Sequence, residues 1–423
     1  MIPPEAPGET PRPIRGEMER PPSVLFLDRE AVEAHLSPAL CLEAVEGAFR
    51  SLDQGQALQP LRTLLTLPGG RDHFLVMPAH VAKPAALGAK LLTLFPGNHD
   101  RGLPSHQGVI LLFDVDTGGL RAVVDAESVT SLRTAAASAL ATRLLSREEA
   151  SELAILGAGV QARSHLEAIL AVRPIRRVRV WSRTPDHARA FVAEARARLE
   201  ARGRSARLEG PSRDSRPAGQ GAPRGGLPPM REIEIVVAPD PESAVRNADV
   251  ICTVTASPTP ILKGEWIAPG THVNAVGAYT PDTRELDTLA IQQARFYVDR
   301  RESAMAEAGD FLSPREEGAL DDAHILGELG ELLEGAAEGS AEDGAGGRRE
   351  NRVEGRLENR VQGRTSPGDR TVFKSLGLAV QDLAAVAALV REIEAGGRKG
   401  IGPTPAPSTP PSTLPPGAPD TGR

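Results

Sequence analysis

The stretch Leu153-Ala154-Ile155-Leu156-Gly157-Ala158-Gly159-Val160-Gln161-Ala162 constrains this chain more than any other. An apolar run ends abruptly in Gly-Ala-Gly, and a helical period then begins with Leu166, Ile169 and Leu170 on one face. This is the strand, tight turn and helix that open a dinucleotide-binding unit. Gly157 permits the turn, Gly159 lets the backbone approach a pyrophosphate, and Ala162 is small enough for close helix–strand packing. The free N–H groups and dipole at the helix start then face the phosphates. A second short strand, Arg177 to Trp181, runs into Ser182-Arg183-Thr184. An acidic residue here would bind the ribose 2′-OH; a guanidinium between two hydroxyls suits a 2′-phosphate instead, so NADPH is expected in preference to NADH.

From Leu153 onward the pattern alternates strand and helix, as a doubly wound parallel sheet requires, with strands expected at 153–156, 178–181, 232–237, 249–254, 272–276 and 295–299. Before it come a strand at Val24 to Leu27, a helix capped by Asp28, and a helix opened by Ser37-Pro38. Strand-like segments follow at Leu61 to Leu67, His73 to Met77 and Leu87 to Leu94, and a hairpin turns at Asp116-Thr117-Gly118-Gly119. A long alanine-rich helix, Ala126 to Leu145, leads into the dinucleotide unit. The fold class is therefore α/β: a Rossmann domain plus a second, α+β unit.

With 423 residues the chain has room for two domains and for segments outside them. Residues 1–22 read as a disordered arm, 203–230 and 335–368 as disordered insertions, and 398–423 as a Pro-rich disordered tail. A net charge of −7 and scattered basic residues leave no nucleic-acid footprint. No apolar run is long enough for a bilayer, and the N-terminus lacks the apolar core of a secretory signal. The two cysteines, Cys41 and Cys252, lie far apart in apolar surroundings, as in a reduced cytoplasmic protein.

Three cations lie in otherwise apolar contexts: Arg62, Lys90 and Arg133. Buried charge is costly unless it is paired or serves a ligand, and together these three can bind a substrate carboxylate. His80, His99, His106 and His165 show no ligand spacing, so no metal site is expected and all four are assigned to loops or surface.

The chain resembles the ornithine cyclodeaminase/mu-crystallin family. The resemblance is carried by Gln59-Pro60-Leu61-Arg62-Thr63, Gly88-Ala89-Lys90-Leu91, Gly102-Leu103-Pro104-Ser105-His106, Ser131-Leu132-Arg133-Thr134 and Leu156-Gly157-Ala158-Gly159-Val160-Gln161-Ala162. It continues through Asn274-Ala275-Val276-Gly277-Ala278, Pro281 to Asp287, Gly327-Glu328-Leu329-Gly330 and Val372-Phe373-Lys374-Ser375-Leu376-Gly377. It implies a homodimer with a discontinuous substrate-binding and dimerisation domain, 23–134 plus 369–397, around a Rossmann domain at 135–334. It also implies that Arg62, Lys90 and Arg133 hold substrate, with Lys90 and Arg133 catalytic and Leu376 beside it. By the same resemblance Ser105, Gly157, Gly159, Val160, Gln161, Ser182, Arg183, Thr184 and Ser375 contact the cofactor. Family cyclodeaminases carry a catalytic aspartate at the position of Tyr279. That departure points to the branch that reduces cyclic imino acids to amino acids, with NADPH as cofactor. Lyase, alanine dehydrogenase and non-catalytic binding remain the alternatives. Because such imines protonate in solution, a dedicated acid is not required.

Overall fold

The computed structural model describes residues 24–208, 233–342 and 361–397; the expected arm 1–22 and tail 398–423 lie outside the described residues. The first unit opens with β1 (Leu25–Leu27), α1 (Arg29–His35) and α2 (Pro38–Asp53). Asp28 and Ser37 cap the two helices, accepting from the backbone N–H of Ala31 and Leu40. Then come β2 (Ala57–Leu58), β3 (Thr63–Thr66), β4 (His73–Val81), β5 (Ala86–Leu94), β6 (His106–Phe113) and β7 (Leu120–Asp125). They form a seven-stranded sheet of order β1-β7-β6-β5-β4-β2, with β3 on β4; every pairing is antiparallel except β1 with β7.

α3 (Ala126–Leu145) is buried along most of its length. Its alanines and serines let it lie between the first sheet and the helix that follows the glycine turn, and it runs unbroken across the expected domain boundary. The second unit comprises β8 (Glu152–Leu156), α4 (Val160–Leu170), β9 (Arg177–Trp181), α5 (Pro185–Leu208), β10 (Glu234–Val237), α6 (Pro241–Val245) and β11 (Val250–Thr253). It continues with β12 (His272–Ala275), α7 (Thr288–Gln292), β13 (Ala294–Val298), α8 (Arg301–Glu307), α9 (Gly309–Glu316), β14 (Ile325–Glu328) and α10 (Leu329–Glu342). Finally β15 (Arg370–Lys374) and α11 (Ala379–Gly397) close the chain. The eight-stranded sheet has the order β10-β9-β8-β11-β12-β15-β13-β14 and is parallel throughout. The order reverses between β8 and β11, where such sheets open a crevice at their carboxyl ends.

Three expectations need correction. The domain bounds drawn from the family resemblance place Arg370–Lys374 with the first unit, yet β15 is hydrogen-bonded between β12 and β13 of the second. Only α11 returns to the first sheet, where Ala379 to Val390 are all buried among its core residues. The return is therefore split: the strand completes one domain and the helix the other, with Ser375 to Leu378 crossing between them.

Second, the expected insertion 335–368 is structured at both ends. Residues up to Glu342 belong to α10, and the chain from Val361 packs again. Arg364 donates to the carbonyls of Leu145 and Gly270, while the Tyr297 hydroxyl donates to those of Gln362 and Gly363. Residues 343–360 lie outside the described residues. Likewise the expected insertion 203–230 begins inside α5, and 209–230 lie outside the described residues. The low apolar content of the second segment hid its anchor, because arginine to backbone carbonyl bonding leaves no hydrophobic periodicity.

Third, His165 is not a surface residue. It is fully buried on α4, bonded to the Ser138 hydroxyl and the Gln161 carbonyl. Burial pushes it down to about 4, so it packs as a neutral ring.

Candidate active site

Gly157 has a φ of 126°, and a Cβ there would sit 2.7 Å from the Val254 carbonyl oxygen. Only glycine turns the chain so tightly against β11. Gly159 then caps α4 with no side-chain hydrogen bond, leaving the helix N–H groups for a ligand. Val160, next in the chain, is exposed. The Gln161 side-chain oxygen and the Ser375 hydroxyl are buried without a hydrogen-bond partner among the described residues. A glycine turn with free N–H groups and two unpartnered buried polar atoms fits a dinucleotide at this edge. Ser182, Arg183 and Thr184 follow β9, the next strand along the same edge. Arg183 is exposed, and the neighbouring acid Asp186 is paired with Arg189.

Facing that edge, the first unit supplies the cations. Lys90 lies mid-strand in β5 between Met77 and Ile110 of its neighbours, and only 1 % of it is exposed. Its Nζ donates to the Thr130 hydroxyl at 2.6 Å and to Asp382 Oδ1 at 3.1 Å. The same oxygen accepts from Arg133 Nε at 3.0 Å, and Arg133 also donates to Gln381 Oε1 at 2.9 Å. Burial lowers the Lys90 ammonium to about 8, Asp382 opposing the shift and Arg133 adding to it. Arg62, just before β3, pairs with Glu307 of α8 at 2.7 Å and donates to the Leu376 carbonyl at 3.2 Å. Within these ion pairs three cations meet two carboxylates, and Arg62 also acts on the buried Asp299 carboxylate.

The three cations line one cavity of about 450 Å³. Arg62, Lys90 and Arg133 meet Gly159, Val160, Gln161, Ser375 and Leu376 there, with Leu75, Met77 and Leu92 as apolar wall. Ser182, Arg183 and Thr184 lie outside this cavity's lining, further along the sheet edge, as the distal half of a dinucleotide requires. Ser105 is also outside it; its hydroxyl bonds His106 Nδ1 at 3.0 Å. His106, assigned from sequence to a loop or the surface, is exposed, is the first residue of β6 and lines the cavity, its Nε2 3.1 Å from the Tyr279 hydroxyl.

Several residues of the site escaped the sequence reading. Asp382 and Gln381 are one pair: they interrupt the otherwise apolar start of α11, which is the available signal for them. Asp299, at the end of β13, is fully buried and accepts from the backbone N–H of Leu376 at 2.6 Å and Gly377 at 2.8 Å. It thereby holds the crossing loop whose carbonyls take Arg62. Gly377, with φ 83°, is the one residue that fits there: a Cβ would lie 2.5 Å from an Arg133 guanidinium nitrogen. Behind the loop carrying Tyr279 lies a buried trio. Lys374 pairs with Asp310 at 2.9 Å and donates to the Ala278 carbonyl. Asp310 accepts from the N–H of Glu285 and Leu286, and Glu285 from those of Thr255 and Gly277. Burial and the Asp310 charge raise Glu285 above the usual carboxylate range.

Comparison with known proteins gives consistent matches. The sequence profile of the ornithine cyclodeaminase/mu-crystallin family matches residues 23–206 and 227–345. The ketimine reductase mu-crystallin of Mus musculus is 37% identical over 372 residues, covering 87% of this chain and 96% of that protein. Thermococcus litoralis Delta(1)-pyrroline-2-carboxylate reductase, solved with NADH and L-proline, superposes with a TM-score of 0.73. It is 31% identical, over 88% of this chain and 98% of that one. An archaeal alanine dehydrogenase dimer with bound NAD gives 0.70 at 29% identity, over 88% and 97%.

Proposed function

The chain belongs to the ornithine cyclodeaminase/mu-crystallin family, and from that premise we propose that it reduces cyclic α-imino acids to cyclic amino acids with a reduced nicotinamide dinucleotide. One observation carries the reading: Arg62, Lys90 and Arg133 line the same cavity as Gly159 and Val160 at the start of α4. A bound reduced nicotinamide supplies the hydride. Arg62, Lys90 and Arg133 hold the substrate carboxylate, which is attached to the carbon that receives hydride, so fixing one fixes the other. Leu75, Met77, Leu92 and Leu376 enclose the remainder of the molecule in apolar surface and exclude water from it.

The lyase alternative needs a carboxylate base where Tyr279 stands. Burial raises the Tyr279 hydroxyl above its ordinary value, Arg62 opposing, so it is no base at neutral pH. Reduced NADP is the preferred cofactor in this reading, because Arg183 is exposed and the β9 end carries no acidic residue. A homodimer accords with the exposed apolar side chains of Leu58, Leu61, Leu64 and Leu65 around β3. A cytoplasmic site of action accords with two buried free thiols, and no helix of the described residues is long and apolar enough to cross a membrane. The test is oxidation of NADPH and NADH against a panel of cyclic imino acids, pyruvate with ammonium, and ornithine. Turnover with the cyclic imines is expected; ammonia release from ornithine, or no turnover at all, overturns the proposal.

A further inference from the structure

Reducing a C=N bond takes a hydride at carbon and a proton at nitrogen. The carboxylate clamp supplies neither. Lys90 is a poor proton source: its ammonium is fully buried and already donates to Thr130 and Asp382. Another pair lines the same cavity. Tyr279 and His106 arrive from the two different sheets and meet across it, Nε2 to hydroxyl at 3.1 Å, with the rings edge to face and their centroids 6.2 Å apart. On its other side the imidazole meets the Ser105 hydroxyl at 3.0 Å. His106 is exposed, while Ser105 and Tyr279 are half-buried, so the imidazole links solvent to a phenol that lines the cavity. The backbone beside Tyr279 is held rigidly. Ala278 is bonded by Lys374 and Gly277 by Glu285, both wholly buried. The charge acting on the phenol from the facing side is Arg62.

We propose that Tyr279 donates the proton to the substrate nitrogen and that His106 replenishes it, Ser105 holding the imidazole with its hydrogen on Nε2; this rests on the reductase reading above. In the reductive direction the Tyr279 O–H bond breaks as an N–H bond forms on the substrate. The Nε2 hydrogen of His106 passes to the phenolic oxygen as the Ser105 hydroxyl hydrogen passes to Nδ1 and water restores the serine; the exposed imidazole then exchanges its Nδ1 hydrogen for one on Nε2 through solvent, which resets the relay. Imine plus hydride plus proton gives the secondary amine, with no further reductant. In the oxidative direction the same chain accepts the proton of the secondary ammonium, which must leave before hydride can. Sequence alone suggests that solution protonation suffices; the geometry assigns the proton to a built path.

The experiment uses the full-length protein, with Tyr279→Phe and His106→Ala. General acid catalysis is typically worth about 10²–10⁴-fold, so each variant is expected to lose at least about tenfold in kcat. NADPH affinity, read by fluorescence titration, and KM for the imine are expected to stay within about threefold of the parent. Added imidazole should restore His106→Ala and leave Tyr279→Phe unchanged, a difference that a packing role does not produce. If His106→Ala folds poorly, His106→Gln keeps a hydrogen bond to Tyr279 without a proton to relay and should show the same kcat loss. Parental kcat in either variant, on an imine that the parent reduces, overturns the relay while leaving the reductase reading intact. Failure of imidazole to restore His106→Ala also overturns it. A parent protein that reduces no imine removes both.

Discussion

One oxygen of Asp382 accepts from two cations at once, Lys90 Nζ at 3.1 Å and Arg133 Nε at 3.0 Å, in a region where all three side chains are almost wholly buried. The carboxylate belongs to α11 and the cations to β5 and α3, so the triad pins the returning helix to the first sheet at the floor of the cavity. Removing Asp382 strands two charges away from water. Breaking a buried pair costs about 3–5 kcal/mol, so Asp382→Ala is expected to lower unfolding free energy by that amount in urea titration. Cyclopentanecarboxylate should raise the thermal midpoint of the variant more than that of the parent, because the ligand replaces the lost anion. A stability loss below about 1 kcal/mol in such a titration would show that the cations do not depend on Asp382.

Lys90 is expected to make carboxylate binding pH-dependent. Burial lowers it from 10.5 to about 8, so the folded protein releases this proton before the unfolded chain does. Between those values the unfolded state holds more protons, and stability contributed by this group rises with pH. Carboxylate binding runs the opposite way, since it favours the charged amine. Affinity for cyclopentanecarboxylate is expected to be flat below about pH 8 and to fall above it, by at most about tenfold per unit. Lys90→Met should bind weakly at every pH and lose the break. A break that persists in the variant would assign it to another group.

Arg183 is the expected partner of a 2′-phosphate. Arg183→Asp should weaken NADPH and strengthen NADH, reversing the preference by at least about tenfold, in line with a charge-assisted contact of roughly 1.5–3 kcal/mol. Fluorescence titration of both cofactors on both proteins decides this. Equal affinities in the parent protein would remove the argument from the end of β9.

The ends of the second insertion pack against the folded units, and residues 343–360 between them lie outside the described residues. Deleting 343–360 with a short linker should leave the thermal transition nearly unchanged. Arg364→Ala should not: it removes donors to the carbonyls of Leu145, Gly270 and Asp369, of which Leu145 keeps the Thr371 hydroxyl, and a buried acceptor left unpaired costs about 1–3 kcal/mol. Thermal unfolding of the two variants separates the cases, and equal midpoints would show that residues 361–368 carry no load.

The dinucleotide unit was legible because its signals are local. A strand that ends in Gly157-Ala158-Gly159 and a helix that begins at once are written within ten consecutive residues, and the turn geometry leaves little choice of side chain. Arg62, Lys90 and Arg133 were legible for a related reason: charge in an apolar context needs an explanation even before its partner is known. What sequence could not supply was the partner. Asp382 lies 292 residues from Lys90 and His106 lies 173 from Tyr279, and no local pattern encodes a contact at that distance. Nor could it divide the C-terminal return, because β15 and α11 are adjacent in the chain and each is apolar enough for either core. Register in the parallel sheet and packing on the antiparallel one decided that division, and with it where Ser375, Leu376 and Gly377 cross the cleft. The sequence by itself determined which chemical groups this protein owns and the turn on which a dinucleotide rests; tertiary structure alone decided which of those groups face one another, since pairing a buried charge requires two distant segments to be desolvated together.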